Sequence, residues 1–185
     1  MERRNFYILV ASICIGLTIF WLNIYAFIIL DVDLFQDPNT IKIKGSGVTG
    51  EITIHLDDLK SSKYTQVMDQ TFHFRNSVSS DLYERVYSGV SLWSILEIEN
   101  ILNDEPSKLT FILCGRDAYC SPKPLNLSIA QDNPELIILA YYEDSQPLFG
   151  DGPLRSVLNQ SVMPSGEVCS QYSIQQLASI KINIS

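Results

Sequence analysis

The sequence has 185 residues and a formal net charge of −8 at pH 7. With no basic stripe or aromatic-basic patch to offset it, that acidic field repels phosphate backbones and excludes nucleic acid as a partner. At 46% hydrophobic and 18% charged, without repeats or low-complexity tracts, the composition is that of one globular domain with an appendage.

The appendage comes first. Phe6–Leu30 is 25 residues without a charge. As a helix it would be about 37 Å long, enough to cross a hydrocarbon core of about 30 Å with some tilt. A cleaved signal peptide is the competing reading, but its apolar region is ordinarily shorter, and Ile24-Tyr25-Ala26-Phe27 is a poor cleavage site. Arg3 and Arg4 on one flank, against Asp31, Asp33 and Asp37 on the other, orient the span. Residues 1–5 are expected in the cytoplasm and the remainder outside. Without Met1–Leu30 the chain has 11 basic and 20 acidic side chains, a net of −9. Sequons at Asn126, Asn159 and Asn183 are compatible with an outside location.

Residues 31–40, with Asp37-Pro38, read as a linker, and an extracytoplasmic domain is expected over 41–185. Ile41–Gly45 alternates as a strand, Gly45–Gly50 is a corner, and Glu51–His55 is a second strand. Leu56–Lys60 reads as one helical turn started by an acidic residue. Gln70–Phe74 and Tyr83–Tyr87 are short strands around a polar turn, Asn76–Asp81. Ser91 is a candidate N-cap for Leu92–Ile98, whose apolar residues share one helical face.

Leu109–Leu125 reads as a strand, a tight turn at Gly115–Ala118 and a return strand from Tyr119 that ends at Pro122 and Pro124. The turn places Arg116 and Asp117 at a loop tip, either as binding groups on a rigid scaffold or simply as a solvated charged tip. Cys114 and Cys120 flank this turn, at a separation across paired strands that a disulfide accepts. Leu127–Ala130 is a short helix. The apolar run Leu136–Tyr142 is a strand buried on both faces, turned by Glu143–Ser145 toward Gln146–Leu148. A glycine loop, Gly150–Gly152, feeds a strand through Arg155 to Leu158. Met163–Glu167 is loop, and Leu177–Ile184 alternates as a terminal strand. Many short strands with a few short helices make a mixed, β-rich α+β domain. Cys114-x5-Cys120 lacks zinc-ligand spacing and His55 and His73 lie far away, so no metal site is expected.

Five motifs in order carry a resemblance. They are Gly89-Val90-x-Leu92-x-x-Ile95-Leu96, Asp117-Ala118-Tyr119, Leu139-Ala140-Tyr141 before Gln146-Pro147-Leu148, Gly152-Pro153-Leu154-Arg155, and Tyr172-Ser173-Ile174-x-x-Leu177. Together, over Ile41–Ile184, they resemble the molybdopterin-binding domain of the sulfite oxidase family. The resemblance implies that family's α+β fold, with a pterin cofactor in a cleft between loops. By resemblance Asp117 and Arg155 would hold the cofactor, Arg75-Asn76 matches a pair that lies on the pterin, and Ser173 opens the phosphate-binding motif. The resemblance also brings Cys120 and Cys169 near the cleft, which makes them the rival disulfide pair.

The chain departs from the pattern at three places. Gly150 stands where the family has a histidine, and Gln175 where it has a phosphate-binding lysine. No cysteine occurs in Phe72–Ser80, where the molybdenum-ligating thiolate belongs. Two function classes remain. One is a membrane-anchored, molybdopterin-dependent oxidoreductase subunit. The other is a divergent relative that binds a small ligand or a partner, such as a membrane protein, without molybdenum chemistry.

Overall fold

Alternation of β-branched and polar residues at both ends of the domain sets up its first sheet. In β1 (Thr40–Lys44) Ile41 and Ile43 are fully buried, while in β10 (Leu177–Ile184) Ile180 and Ile182 are. The two strands pair in parallel, Ile43 opposite Ile180, so the first and last strands of the folded unit lie side by side. The computed structural model describes residues 12–21, 36–148 and 152–185. It divides into two units, Met1–Leu34 and Phe35–Ser185.

In the first unit residues 12–21 form a helix (α1) with exposed side chains. The expected span Phe6–Leu30 lies for the most part outside the described residues. Among those described, no helix is long and apolar enough to cross a membrane.

The second unit is mixed α+β and β-rich. Its first sheet runs β2 (Ile52–His55), β1, β10, β5 (Leu109–Gly115), β6 (Leu125–Asn126), with every pairing but β1–β10 antiparallel. Its second sheet runs β3 (Gln66–Arg75), β4 (Leu82–Ser91), β7 (Ile137–Glu143), β8 (Gln146–Pro147). β9 (Arg155–Leu158) also pairs with β7. With β4 on one side and β8 and β9 on the other, β7 has no free edge, and Ile137–Tyr141 are all buried. One apolar cluster draws side chains from both sheets.

The helices are short. α2 (Leu56–Leu59) is capped by His55, whose Nδ1 accepts the Asp57 amide at 3.2 Å; the expected acidic residues fall inside its first turn instead. α3 (Leu92–Glu99) starts as expected, Ser91 Oγ accepting from Ser94 N at 3.3 Å. It ends at Asn100 in the left-handed conformation, a position asparagine tolerates. α4 spans Ser128–Asp132.

Three expectations need correction. β3 and β4 are each ten residues long, far longer than Gln70–Phe74 and Tyr83–Tyr87. Asp69, at φ 47°, breaks the register between Val67 and Gln70, which hides the first half of β3 from a period-two reading. The bulge is satisfied locally, since the Asp69 amide donates to Ser88 Oγ at 2.8 Å. The return limb of the central hairpin does not end at the prolines. Cys120 forms a lone bridge with Cys114, and β6 resumes beyond Pro124 against Thr110 and Phe111. Because β6 is the sheet's edge, the prolines forfeit no ladder partner there.

Gly89 sits where β4 crosses β7 at a second register shift. A Cβ there would lie 2.4 Å from Leu139 O and 2.7 Å from Ala140 Cα, both main-chain atoms that cannot swing away. Gly89→Ala is therefore expected to destabilise by about 1–3 kcal/mol, the range for overpacking. Urea unfolding followed by circular dichroism checks this, and a variant as stable as wild type would contradict the close approach.

Candidate functional site

The long β4 presents Tyr83, Arg85 and Tyr87 at alternate positions on one face, opposite Phe74, Phe72 and Gln70 of β3. Tyr87 also pairs with Glu143 at the end of β7, and Ala140 of β7 pairs with Arg155, the first residue of β9. These registers bring Tyr83, Arg85, Tyr87, Glu143 and Arg155 to one open cleft of about 460 Å³.

Glu143 lies between the two guanidinium groups. Arg85 Nε is 3.6 Å from one carboxylate oxygen, and Arg155 Nη1 is 3.9 Å from the other. The Arg155 guanidinium stands 5.8 Å from the Tyr87 ring centroid, a cation–π distance. Burial pushes the Tyr87 phenol well above its ordinary range, although Arg155 pulls the other way. Tyr87 thus stays a neutral hydroxyl at pH 7. With two cations around one carboxylate, the cleft carries a net positive charge on an otherwise acidic domain.

Arg155 is well supported from behind. Its neighbour Ser156 is buried, donates to Tyr172 O at 2.7 Å and accepts Ile174 N at 2.8 Å. That pins the Tyr172–Ile174 turn against β9.

The other residues singled out from the sequence do not share this cleft. Arg75 lines a second one of about 370 Å³ with His73, Leu82, Glu84 and Asn159; Tyr83 borders both. Asn76 Oδ1 accepts Val78 N at 2.8 Å and Ser79 N at 3.1 Å, so its side chain shapes the β3–β4 turn. Asp117 is exposed at the hairpin tip, and its Oδ1 accepts Tyr119 N at 3.1 Å. Arg116 does not project as a binding group, since its guanidinium bonds the main chain of Gln36–Thr40. Ser173 is buried and its Oγ donates to Cys169 O at 3.4 Å. Gly150, at the family's histidine position, lies outside the described residues.

Tyr83, Arg85, Tyr87 and Glu143 were missed. The alternation of the first three along β4 was the available signal, whereas Glu143 joins them through a strand pairing that spans 56 positions of sequence, from Tyr87.

The sequons are poor modification sites where they are most enclosed. Asn159 is buried, and its Oδ1 accepts Ser161 N at 3.1 Å, starting a short 3₁₀ turn.

The donor set does not suit a molybdenum–pterin group. Cys114 and Cys120 form a disulfide, as their positions flanking the turn led one to expect, so the rival Cys120–Cys169 pair is excluded. Cys169 is a buried free thiol whose pKa burial raises, which leaves it protonated rather than a ligating thiolate. The Phe72–Ser80 stretch, where the family's thiolate belongs, is the end of β3 and a tight turn, with Phe72 and Phe74 locked in the core. Among the described residues no three His, Cys, Asp or Glu side chains cluster as metal ligands do.

No family model matches the chain, and no curated protein matches it. Among solved structures it is similar to the sulfane dehydrogenase SoxCD from Paracoccus pantotrophus, at 15% sequence identity and a TM-score of 0.59. The match covers 80% of this chain but 39% of that one. The likeness is one of fold alone, and the fold is distantly molybdopterin-oxidoreductase-like.

Proposed function

We propose that the chain is a membrane-anchored extracytoplasmic domain of the sulfite-oxidase type that binds a small anionic ligand in the Arg155 cleft and performs no molybdenum chemistry. The observation that carries this reading is the commitment of every cysteine in the folded unit to a disulfide or a buried neutral thiol. The cleft itself supplies charge and donors. Arg85 and Arg155 outnumber Glu143, and a ligand anion would compete with that carboxylate for the two guanidiniums. The alternative, an active molybdopterin-dependent oxidoreductase subunit, draws its support from the fold shared with sulfane dehydrogenase.

The binding half is tested with inorganic probes. Sulfate and acetate, titrated separately against the wild-type chain, are expected to raise the melting temperature, at least one of them saturably. A hydrogen bond to a charged group contributes about 1.5–3 kcal/mol, so Arg155→Gln should weaken that binding by about tenfold or more. Far-ultraviolet circular dichroism controls for folding. An unresponsive wild type, or a folded variant that responds equally, would count against the cleft.

The anchoring half is tested by the mass of the membrane-bound protein. A chain that retains Phe6–Leu30 is expected, and a mature chain beginning near Phe27 would refute the anchor.

A further inference from the structure

The central hairpin does something that neither the cleft nor the fold requires. The seven residues from Cys114 to Cys120 are closed into a ring by the disulfide. Inside the ring the Gly115 amide donates to Tyr119 O at 2.8 Å, Asp117 Oδ1 accepts Tyr119 N, and Ala118 adopts φ 65°. The ring sits tightly on the turn before β10. Arg116 N donates to Gln176 O at 3.1 Å, and a Cβ on Gly115 would lie 2.9 Å from Gln175 O.

Held this way, the Arg116 side chain reaches the segment by which the chain enters the folded unit. Nη1 donates to Gln36 O at 2.9 Å, and Nη2 donates to Asp37 O at 2.7 Å and to Thr40 O at 3.3 Å. One guanidinium thus gathers three carbonyls from five consecutive residues. Charged donors make the stronger hydrogen bonds, and the planar fork fixes their directions. The segment's other ties are uncharged, chiefly Gln36 Nε2 to Ala178 O at 3.0 Å and Leu56 N to Asn39 O at 2.7 Å.

We propose that the Cys114–Cys120 ring is a redox-sensitive clasp, which holds Gln36–Thr40 through Arg116 while oxidised and releases it when reduced. The reductant is a dithiol. Its thiolate attacks the Sγ of Cys120, the more exposed of the two residues, and the S–S bond breaks with Cys114 leaving as a thiolate that takes up a proton. The dithiol's second sulfur then displaces Cys120, which is also protonated, and the dithiol departs as a disulfide. Two electrons and two protons have passed to the chain. The opened loop keeps its Gly115–Tyr119 hydrogen bond but loses the covalent closure that aims Arg116. Because residues 36–39 lead into β1 at Thr40, release there loosens the tether and leaves the strand pairings from Ile41 onward in place. The inference is independent of what the Arg155 cleft binds.

Hydrogen exchange of the full chain in detergent micelles, followed by mass spectrometry, tests it. A water-soluble phosphine serves as the reducing probe, and thiol counting confirms that two new thiols have formed. On reduction, peptides covering 36–40 should exchange at least tenfold faster, while those from β5 and β10 keep their rates. Arg116→Gln with the disulfide intact should show the same acceleration, and reduction should add nothing more. Should that variant fail to fold, the reduced wild type carries the test by itself. A reduced wild type in which 36–40 exchanges at the oxidised rate overturns the proposal, and so does acceleration spread equally over β5 and β10.

Discussion

Replacing Phe74 by alanine is expected to lower the unfolding free energy by about 3–5 kcal/mol, the range for removing a buried phenylalanine. Phe74 is 1% exposed. Its ring stacks on Tyr83 with centroids 5.3 Å apart and meets Tyr87 edge-on at 5.9 Å, and Phe72 also meets Tyr87 edge-on at 6.0 Å. Removing the ring opens a cavity among side chains held by two paired strands, which cannot collapse to fill it. Small domains are stable by only about 5–15 kcal/mol, so the loss would consume a large part of the total. Tyr83 and Tyr87 also line the Arg155 cleft, so anion binding should weaken in the same variant. Leu82→Ala, which removes a mostly exposed side chain from the same strand, serves as control and should stay within about 0.5 kcal/mol of wild type. Urea unfolding measures both, and a Phe74→Ala loss below about 1 kcal/mol would show that the aromatic cluster is not the support described.

Elements whose pattern is local were legible in the sequence. The apolar run of β7, the alternation of β10 and the Ser91 cap of α3 each announce themselves within a few residues. β3 was half hidden because Asp69 shifts the phase, and a bulge satisfied by Ser88, nineteen residues away, leaves no local signature. β6 was hidden because proline reads as an end, yet at a sheet edge it is tolerated. The α2 cap was misread because acidic residues in a first turn favour a helix start as a cap does, while the capping atom belongs to His55.

The candidate site was less legible for the same reason at longer range. Arg155 stood out through its motif, but its partners are decided by two strand registers, Tyr87 with Glu143 and Ala140 with Arg155. Asn76, Asp117 and Ser173 fit the family pattern by position, yet their side chains bond nearby main chain. Such short polar residues serve turns as readily as ligands.

The second large effect concerns the cofactor itself. In the sulfite oxidase family, which the sequence resembles, molybdenum takes a soft protein thiolate and the pterin's phosphate several cationic or amide donors. Here the cysteines of the folded unit form a disulfide or a buried protonated thiol, and glutamine stands at position 175, where the resemblance expects a lysine. At about 1.5–3 kcal/mol for each lost charged anchor, two losses weaken binding by a few orders of magnitude. The direct measurement is the molybdenum content and pterin fluorescence of the full chain purified from a host that makes the cofactor. Far less than one molybdenum per chain and no pterin signal are expected. One molybdenum per chain with a matching pterin signal would contradict that expectation.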